Sequence, residues 1–128
     1  MGGQVQITFD AAAIGLQHVK GGKLRALASL GGKRAVFAPD VPTVAETLPG
    51  FEAVNWYGMT LPAGTPREAV ARLHRDLLKT LALPEIRERM LALGAEPVGS
   101  TPEEFGAFIK TEAAKWSRVV KDANIRLE

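Results

Sequence analysis

Hydrophobic and polar residues alternate near the start of the chain. Residues 5–9 carry Val, Ile and Phe at every second position, the period of a strand with one buried face. Asp10 then stands where a helix N-cap belongs, before an alanine-rich run over residues 11–19 that a glycine pair ends. A short apolar segment follows over residues 24–30. The pattern predicts strand, helix and strand, and the two strands should be parallel because a long crossover joins them.

The middle of the chain is less regular. Residues 31–50 are rich in glycine and proline and show no hydrophobic period, so they are predicted to be a connection. Thr43 is placed to begin one short helix over residues 44–48. Residues 51–61 form another apolar segment, which we interpret as a strand.

The second half of the chain contains residues typical of helix starts and ends. Thr65 and Thr101 each precede a proline and have a glutamate three residues on, the pattern of a capping box with proline at the first helical position. Gly94 is placed to end the middle helix in the left-handed conformation. The predicted helices cover residues 66–83 and 84–93 and a third segment from Pro102 through Val120.

Composition and charge narrow the class of protein. The chain has 128 residues, a net charge of +2 and no cysteine. The mixed charges are spread evenly, which argues against a nucleic-acid partner, and the missing cysteines exclude disulfides and cysteine-based zinc sites. The start has no basic region followed by an apolar one, so no secretory signal is predicted in this chain.

Residues for catalysis are not arranged in any motif. His18 and His74 lack a second ligand at metal-site spacing, and no serine lies in a Gly-x-Ser-x-Gly turn. His74 has charged neighbours and is predicted to be a solvated surface residue. The glycine pairs lack nucleotide-binding order. We therefore expect no metal, no cofactor and no enzyme activity.

One local arrangement of residues favours the binding of a ligand. At residues 9–13 a predicted strand end meets a helix N-terminus, where free backbone N–H groups and the positive end of the helix dipole favour an anion. In open α/β sheets, ligands lie at such carboxyl ends of strands. The alternative is plain N-capping, in which the Asp10 carboxylate uses those donors itself and repels a second anion.

Six segments, in this order and spacing, resemble the Bug or TctC family, the extracytoplasmic solute receptors of tripartite tricarboxylate transporters. The resemblance covers nearly the whole chain, and its segments are residues 21–28, 40–46, 49–51, 56–58, 62–66 and 93–97. It implies an α/β fold that is part of a periplasmic-binding-protein-like (type II) two-lobe receptor, with a small, mainly parallel sheet and flanking helices. Only the C-terminal portion of such a receptor is matched.

The resemblance also implies a division of the chain. Residues 1–30 correspond to the end of the second lobe, residues 31–50 to the crossover between lobes, and residues 51–128 to a returning strand and the C-terminal helices. Trp56 and Tyr57 match the family's Trp-Tyr-Gly segment near the crossing, where large aromatics are more typical of core or hinge packing than of ligand contact.

The implied function is binding of a small organic acid, a di- or tricarboxylate or similar, for delivery to membrane transporter components. The implied ligand-binding residues are Phe9, Asp10, Ala11 and Ala12. Ala11 stands where the family often has Asn or Ser, which leaves backbone N–H groups as the main donors. The intact family member works in the periplasm. An alternative from another class is a free-standing homodimeric interaction module that binds no solute.

Overall fold

A computed structural model describes residues 4–126, which contain four α-helices and one 3₁₀ helix. These residues form two compact units. One unit runs up to Tyr57 and includes Thr80–Pro97, and the other comprises Gly58–Lys79 and the chain from Val98 on. The elements are α1 (Ala12–Lys20), the 3₁₀ helix (Val44–Glu46), α2 (Arg67–Ala82), α3 (Pro84–Ala92) and α4 (Pro102–Asp122).

Helix α1 forms where the alanine-rich run predicts it, but its N-cap differs. The capping residue is Ala11, with extended backbone angles and no side-chain hydrogen bond to the helix. The prediction that Asp10 is the N-cap is therefore wrong by one position. The helix ends as predicted, with Gly21 as C-cap and Gly22 at a φ of 68°, a conformation that glycine adopts without steric cost.

The 3₁₀ helix is fixed by a complete capping box. The Thr43 hydroxyl accepts a hydrogen bond from the Glu46 N–H at 3.2 Å, and Glu46 Oε1 accepts one from the Thr43 N–H at 3.0 Å. Arg34 donates to the same carboxylate from Nε and Nη2, both at 2.8 Å. The helix is shorter than the predicted span of residues 44–48.

The three predicted strands are not paired in a sheet within residues 4–126. Residues 5–9, 24–30 and 51–61 form neither helix nor strand, and the described residues contain only an isolated parallel bridge between Ser29 and Thr43. A strand is stable only beside a partner that takes up its backbone hydrogen bonds, and these segments have no continuous partner here. The predicted small parallel sheet is thus not formed by these residues.

The later helices follow their capping chemistry with one exception. Thr101 begins α4 with the predicted capping box, and its N–H, followed by its hydroxyl, lowers the pKa of Glu104 by hydrogen bonding. Gly94 follows α3 at a φ of 73°, as predicted. The box at Thr65 does not form, because the Thr65 hydroxyl donates to the Pro62 carbonyl at 2.8 Å, and α2 begins one residue later than predicted.

The apolar faces of these elements are largely uncovered. Among the described residues no hydrophobic side chain is buried, and the only buried side chains are Thr43 and Glu112. Glu112 lies within α4, where its carboxylate accepts a hydrogen bond from Trp116 Nε1 at 2.9 Å and pairs with Lys115. No helix within residues 4–126 is long and apolar enough to cross a membrane.

Candidate functional site

The first turn of α1 presents backbone donors that have no partner within residues 4–126. The Ala11 carbonyl accepts from the N–H groups of Ile14 and Gly15, at 2.9 and 3.0 Å, as helix geometry requires. The N–H groups of Ala12 and Ala13 donate to no described residue. Because the helix dipole adds positive potential at this end, the turn favours a negatively charged oxygen.

The Asp10 side chain does not accept hydrogen bonds from these N–H groups. Its side chain is exposed and forms no hydrogen bond or ion pair with another described residue. Its β-carbon lies 3.5 Å from the point that a β-carbon on Gly15 would occupy, so it sits near Gly15 of α1. The plain N-capping interpretation is therefore wrong, and the donors of the first turn remain available.

Three aromatic residues at and near this corner in the sequence pattern are exposed to different extents. Phe9, directly before the corner, is 81% exposed, and Tyr57 is 89% exposed. Trp56 is partly covered, at 41%. The family pattern favoured core or hinge packing for Trp56 and Tyr57, and within the described residues neither side chain is buried. The four predicted ligand-binding residues lie together because they are consecutive in the chain. They are Phe9, Asp10, Ala11 and Ala12.

One residue that contacts this corner was not identified from the sequence. A β-carbon on Gly94 would lie 2.7 Å from the Ala12 β-carbon and 3.2 Å from the Ala13 nitrogen. The backbone after α3 therefore touches the first turn of α1. The sequence identifies Gly94 only as a helix cap, and a contact between such distant positions leaves no trace in local periodicity.

His74 lies in the other unit and is only partly exposed to solvent. It is half-buried, and its Nε2 lies 3.1 Å from the Ser100 carbonyl oxygen, at the distance of a hydrogen bond. The side chain is therefore more enclosed than the predicted solvated surface residue. Helical spacing could have indicated this, since His74 shares the face of Val70 and Leu77. A shallow concavity there is lined by Arg67, Val70, Ala71, His74, Pro102 and Glu103.

Metal-ligating side chains do not cluster in the described part of the chain. Within residues 4–126 there is no group of three or more His, Asp or Glu side chains that could hold a metal ion.

Comparison with known proteins identifies relatives over almost the whole chain. Residues 1–125 match the family model of the tripartite tricarboxylate transporter family receptor, TctC. BugT of Bordetella pertussis is 34% identical over 129 residues, covering 100% of this chain and 40% of BugT. A UPF0065 protein from a tcbD–tcbE intergenic region of Pseudomonas sp. is 34% identical, covering 92% of this chain and 36% of the relative.

Solved structures give the same picture. The periplasmic binding protein BugD is 36% identical with a TM-score of 0.74, covering 88% of this chain and 39% of BugD. Rpa4515 of R. palustris, solved with adipate, is 30% identical with a TM-score of 0.76, covering 88% of this chain and 38% of Rpa4515. The fold is thus that of periplasmic binding proteins, and the chain spans about two fifths of the length of these four proteins.

Proposed function

Because the chain belongs to the tripartite tricarboxylate transporter receptor family, we propose that its residues form one wall of the solute site of an extracytoplasmic receptor. Such a receptor would be about two and a half times as long, since the chain spans 40% of BugT. Its role is to bind a carboxylate-bearing solute and deliver it to membrane transporter components without chemical change. The periplasm is the compartment in which this role is exercised.

The observation that carries the proposal is the uncapped first turn of α1. The N–H groups of Ala12 and Ala13 have no partner among the described residues, and Ala11 has no side-chain donor or acceptor. A carboxylate of the solute satisfies these donors, and hydrogen bonds to a charged acceptor are among the stronger ones in proteins. Adipate in Rpa4515 supports a dicarboxylate as the solute class.

The two residues before the turn supply selectivity. Phe9 is 81% exposed and offers an apolar surface to the aliphatic part of the solute. Asp10 accepts hydrogen bonds from a hydroxyl or amine on the solute, and its charge disfavours a second carboxylate nearby. The site therefore combines backbone recognition of one carboxylate with side-chain selection of the rest.

The three segments predicted to be strands fit the same proposal. Residues 5–9, 24–30 and 51–61 would pair with strands supplied by the rest of the receptor, which completes the sheet of a type II two-lobe fold. Residues 1–30 then belong to the second lobe, residues 31–50 cross between the lobes, and residues 51–128 return to the first lobe and its C-terminal helices. A carboxylate held by one wall alone binds weakly, so these residues without the other lobe should bind with millimolar affinity or worse.

A chimaeric receptor tests the proposal. Residues 4–126 replace the matching part of Rpa4515, and adipate binding is measured by calorimetry. Ala12→Pro removes one donor yet fits the first helical position, because Ala11 already has the extended backbone that precedes proline, with φ −63° and ψ 139°. Loss of one charge-assisted hydrogen bond costs about 1.5–3 kcal/mol, so we expect affinity to fall about ten- to a hundredfold.

The matched control is Arg67→Pro, the same substitution at the first position of α2. It should leave adipate affinity within about twofold of the unsubstituted chimaera. If Ala12→Pro binds adipate as tightly as Arg67→Pro, the first turn of α1 does not hold the carboxylate and the proposed site is wrong.

A further inference from the structure

The turn that follows α3 comes close to the first turn of α1. A β-carbon on Gly94 would meet the Ala12 β-carbon at 2.7 Å, the Ala12 carbonyl carbon at 3.1 Å and the Ala13 nitrogen at 3.2 Å. The 2.7 Å contact is shorter than real β-carbons show, and the two contacts with backbone atoms of the first turn are tighter than most. Position 94 must therefore lack a side chain for the two segments to touch as they do.

The turn around Gly94 is itself fixed. The Gly94 N–H donates to the Leu91 carbonyl and the Ala95 N–H to the Met90 carbonyl, both at 2.9 Å, which closes the C-terminus of α3. Two residues after Gly94, Glu96 Oε1 accepts a hydrogen bond from the Val36 N–H at 2.9 Å. The segment that meets Ala12 is thus held by α3 on one side and by the chain around Val36 on the other.

We propose that Gly94 is a positioning residue for the carboxylate site: by meeting Ala12 without a side chain, it sets where the first turn of α1 places its two free N–H groups. This inference rests on the proposed function for its binding consequence. Its structural part, that position 94 fixes the first turn of α1, stands on the contact alone. In this contact Ala12 contributes only a methyl group, and Gly94 has no space for a side chain.

The decisive variant is Gly94→Ala, compared with Gly22→Ala. Both glycines have a positive φ, 73° and 68°, so both substitutions impose the same backbone strain. Only Gly94 has a neighbour, because nothing lies within 4 Å of a β-carbon at position 22. A difference between the two variants therefore measures the contact with α1 and not the loss of glycine.

Two readouts are taken on the chimaeric receptor, adipate affinity and the amide NMR shifts of Ala12 and Ala13 without ligand. We expect Gly94→Ala to weaken adipate binding at least about tenfold and to move both amide signals, and Gly22→Ala to do neither. Adding Ala12→Gly to Gly94→Ala removes the nearest atom and should recover part of the affinity. If Gly94→Ala alone does not fold, the same two readouts are taken on the double variant.

The outcomes separate the two proposals. If Gly94→Ala binds adipate and gives Ala12 and Ala13 signals like those of Gly22→Ala, the positioning role is overturned. If the unsubstituted chimaera binds no adipate, the proposed function fails, while the amide shifts still decide whether Gly94 fixes the first turn. If the shifts move but affinity does not, the contact is structural only and the positioning role is again overturned.

Discussion

Ser29 and Thr43 face each other across an isolated parallel bridge, and their hydroxyl groups are used differently. The Thr43 hydroxyl caps the 3₁₀ helix, whereas the Ser29 hydroxyl oxygen is buried without a hydrogen-bond partner among the described residues. An unpaired buried hydroxyl costs free energy, and a helix cap contributes about 1 kcal/mol.

We therefore expect Ser29→Ala to leave the free energy of unfolding unchanged or to raise it. Thr43→Val, which keeps the shape and loses the cap, should lower the free energy of unfolding by about 1 kcal/mol. Urea unfolding followed by circular dichroism measures both. A loss of stability in Ser29→Ala equal to that in Thr43→Val would mean that the Ser29 hydroxyl has a partner after all.

The pair of Arg34 and Glu46 makes a prediction about pH. The Arg34 guanidinium donates to both carboxylate oxygens and, with the Thr43 N–H, lowers the pKa of Glu46 from its ordinary 4.5 to about 2. Because the pKa is lower in the folded chain, the pair contributes its full stability above pH 4.5 and loses it as the pH falls towards 2. A carbon-13 NMR titration of the Glu46 carboxyl should show a midpoint near 2.

The control for this titration is Arg34→Gln, which should move the Glu46 midpoint up towards 4.5. The pKa of Glu104 is lowered mainly by hydrogen bonds from Thr101, so its midpoint should not respond to this substitution. An unchanged Glu46 midpoint in Arg34→Gln would show that the guanidinium is not the cause.

At the scale of elements, the contact between Gly58 and α4, both in the same unit, depends on the missing side chain of the glycine. A β-carbon there would overlap the ring of Phe105, with the Cε1 atom only 2.6 Å away. We expect Gly58→Ala to lower the free energy of unfolding by about 1–3 kcal/mol, the usual cost of overpacking. Thermal melting of the variants measures it.

Gly106 provides the comparison, because it lies inside α4 with nothing within 4 Å of a β-carbon. Gly106→Ala should raise the free energy of unfolding by about 0.5–1 kcal/mol through helix propensity. Equal effects of the two substitutions would show that the Phe105 ring does not press on Gly58.

The sequence predicted the elements whose causes are local. Pro84, Gly94 and the capping box at Thr101 lie where the helices begin and end, because these residues act on their own turn of the backbone. The strands were not found as paired strands, since pairing depends on a partner that local periodicity does not reveal. The contact of Gly94 with Ala12 escaped prediction for the same reason.

At the scale of the whole molecule, the uncovered apolar side chains are the main feature. Val98 is 86% exposed, Val36 68% and Leu27 58%, and no hydrophobic side chain within residues 4–126 is buried. Surfaces of this kind mark contact sites or cause self-association. They agree with the proposal that more polypeptide covers these faces, and they equally favour the homodimeric module as the competing interpretation.

We expect residues 1–128 alone to bind the dye ANS and to associate with increasing concentration. The chimaeric receptor, in which the same faces are covered, should do neither. Light scattering and dye fluorescence measure the two properties. A defined dimer at low concentration would favour the homodimeric module, whereas a clean monomer without dye binding would contradict both interpretations.

The free donors at the start of α1 belong to the main chain, and this has a consequence for divergence. Nineteen of the twenty amino acids carry the same N–H group, so drift in sequence cannot remove these donors unless it introduces proline. Relatives that share only about a third of their residues with this chain therefore need no particular side chain at positions 12 and 13 themselves to carry these donors. Under the proposed function, mutation in such a lineage can change the side chains around the carboxylate of the solute while the two backbone N–H groups persist.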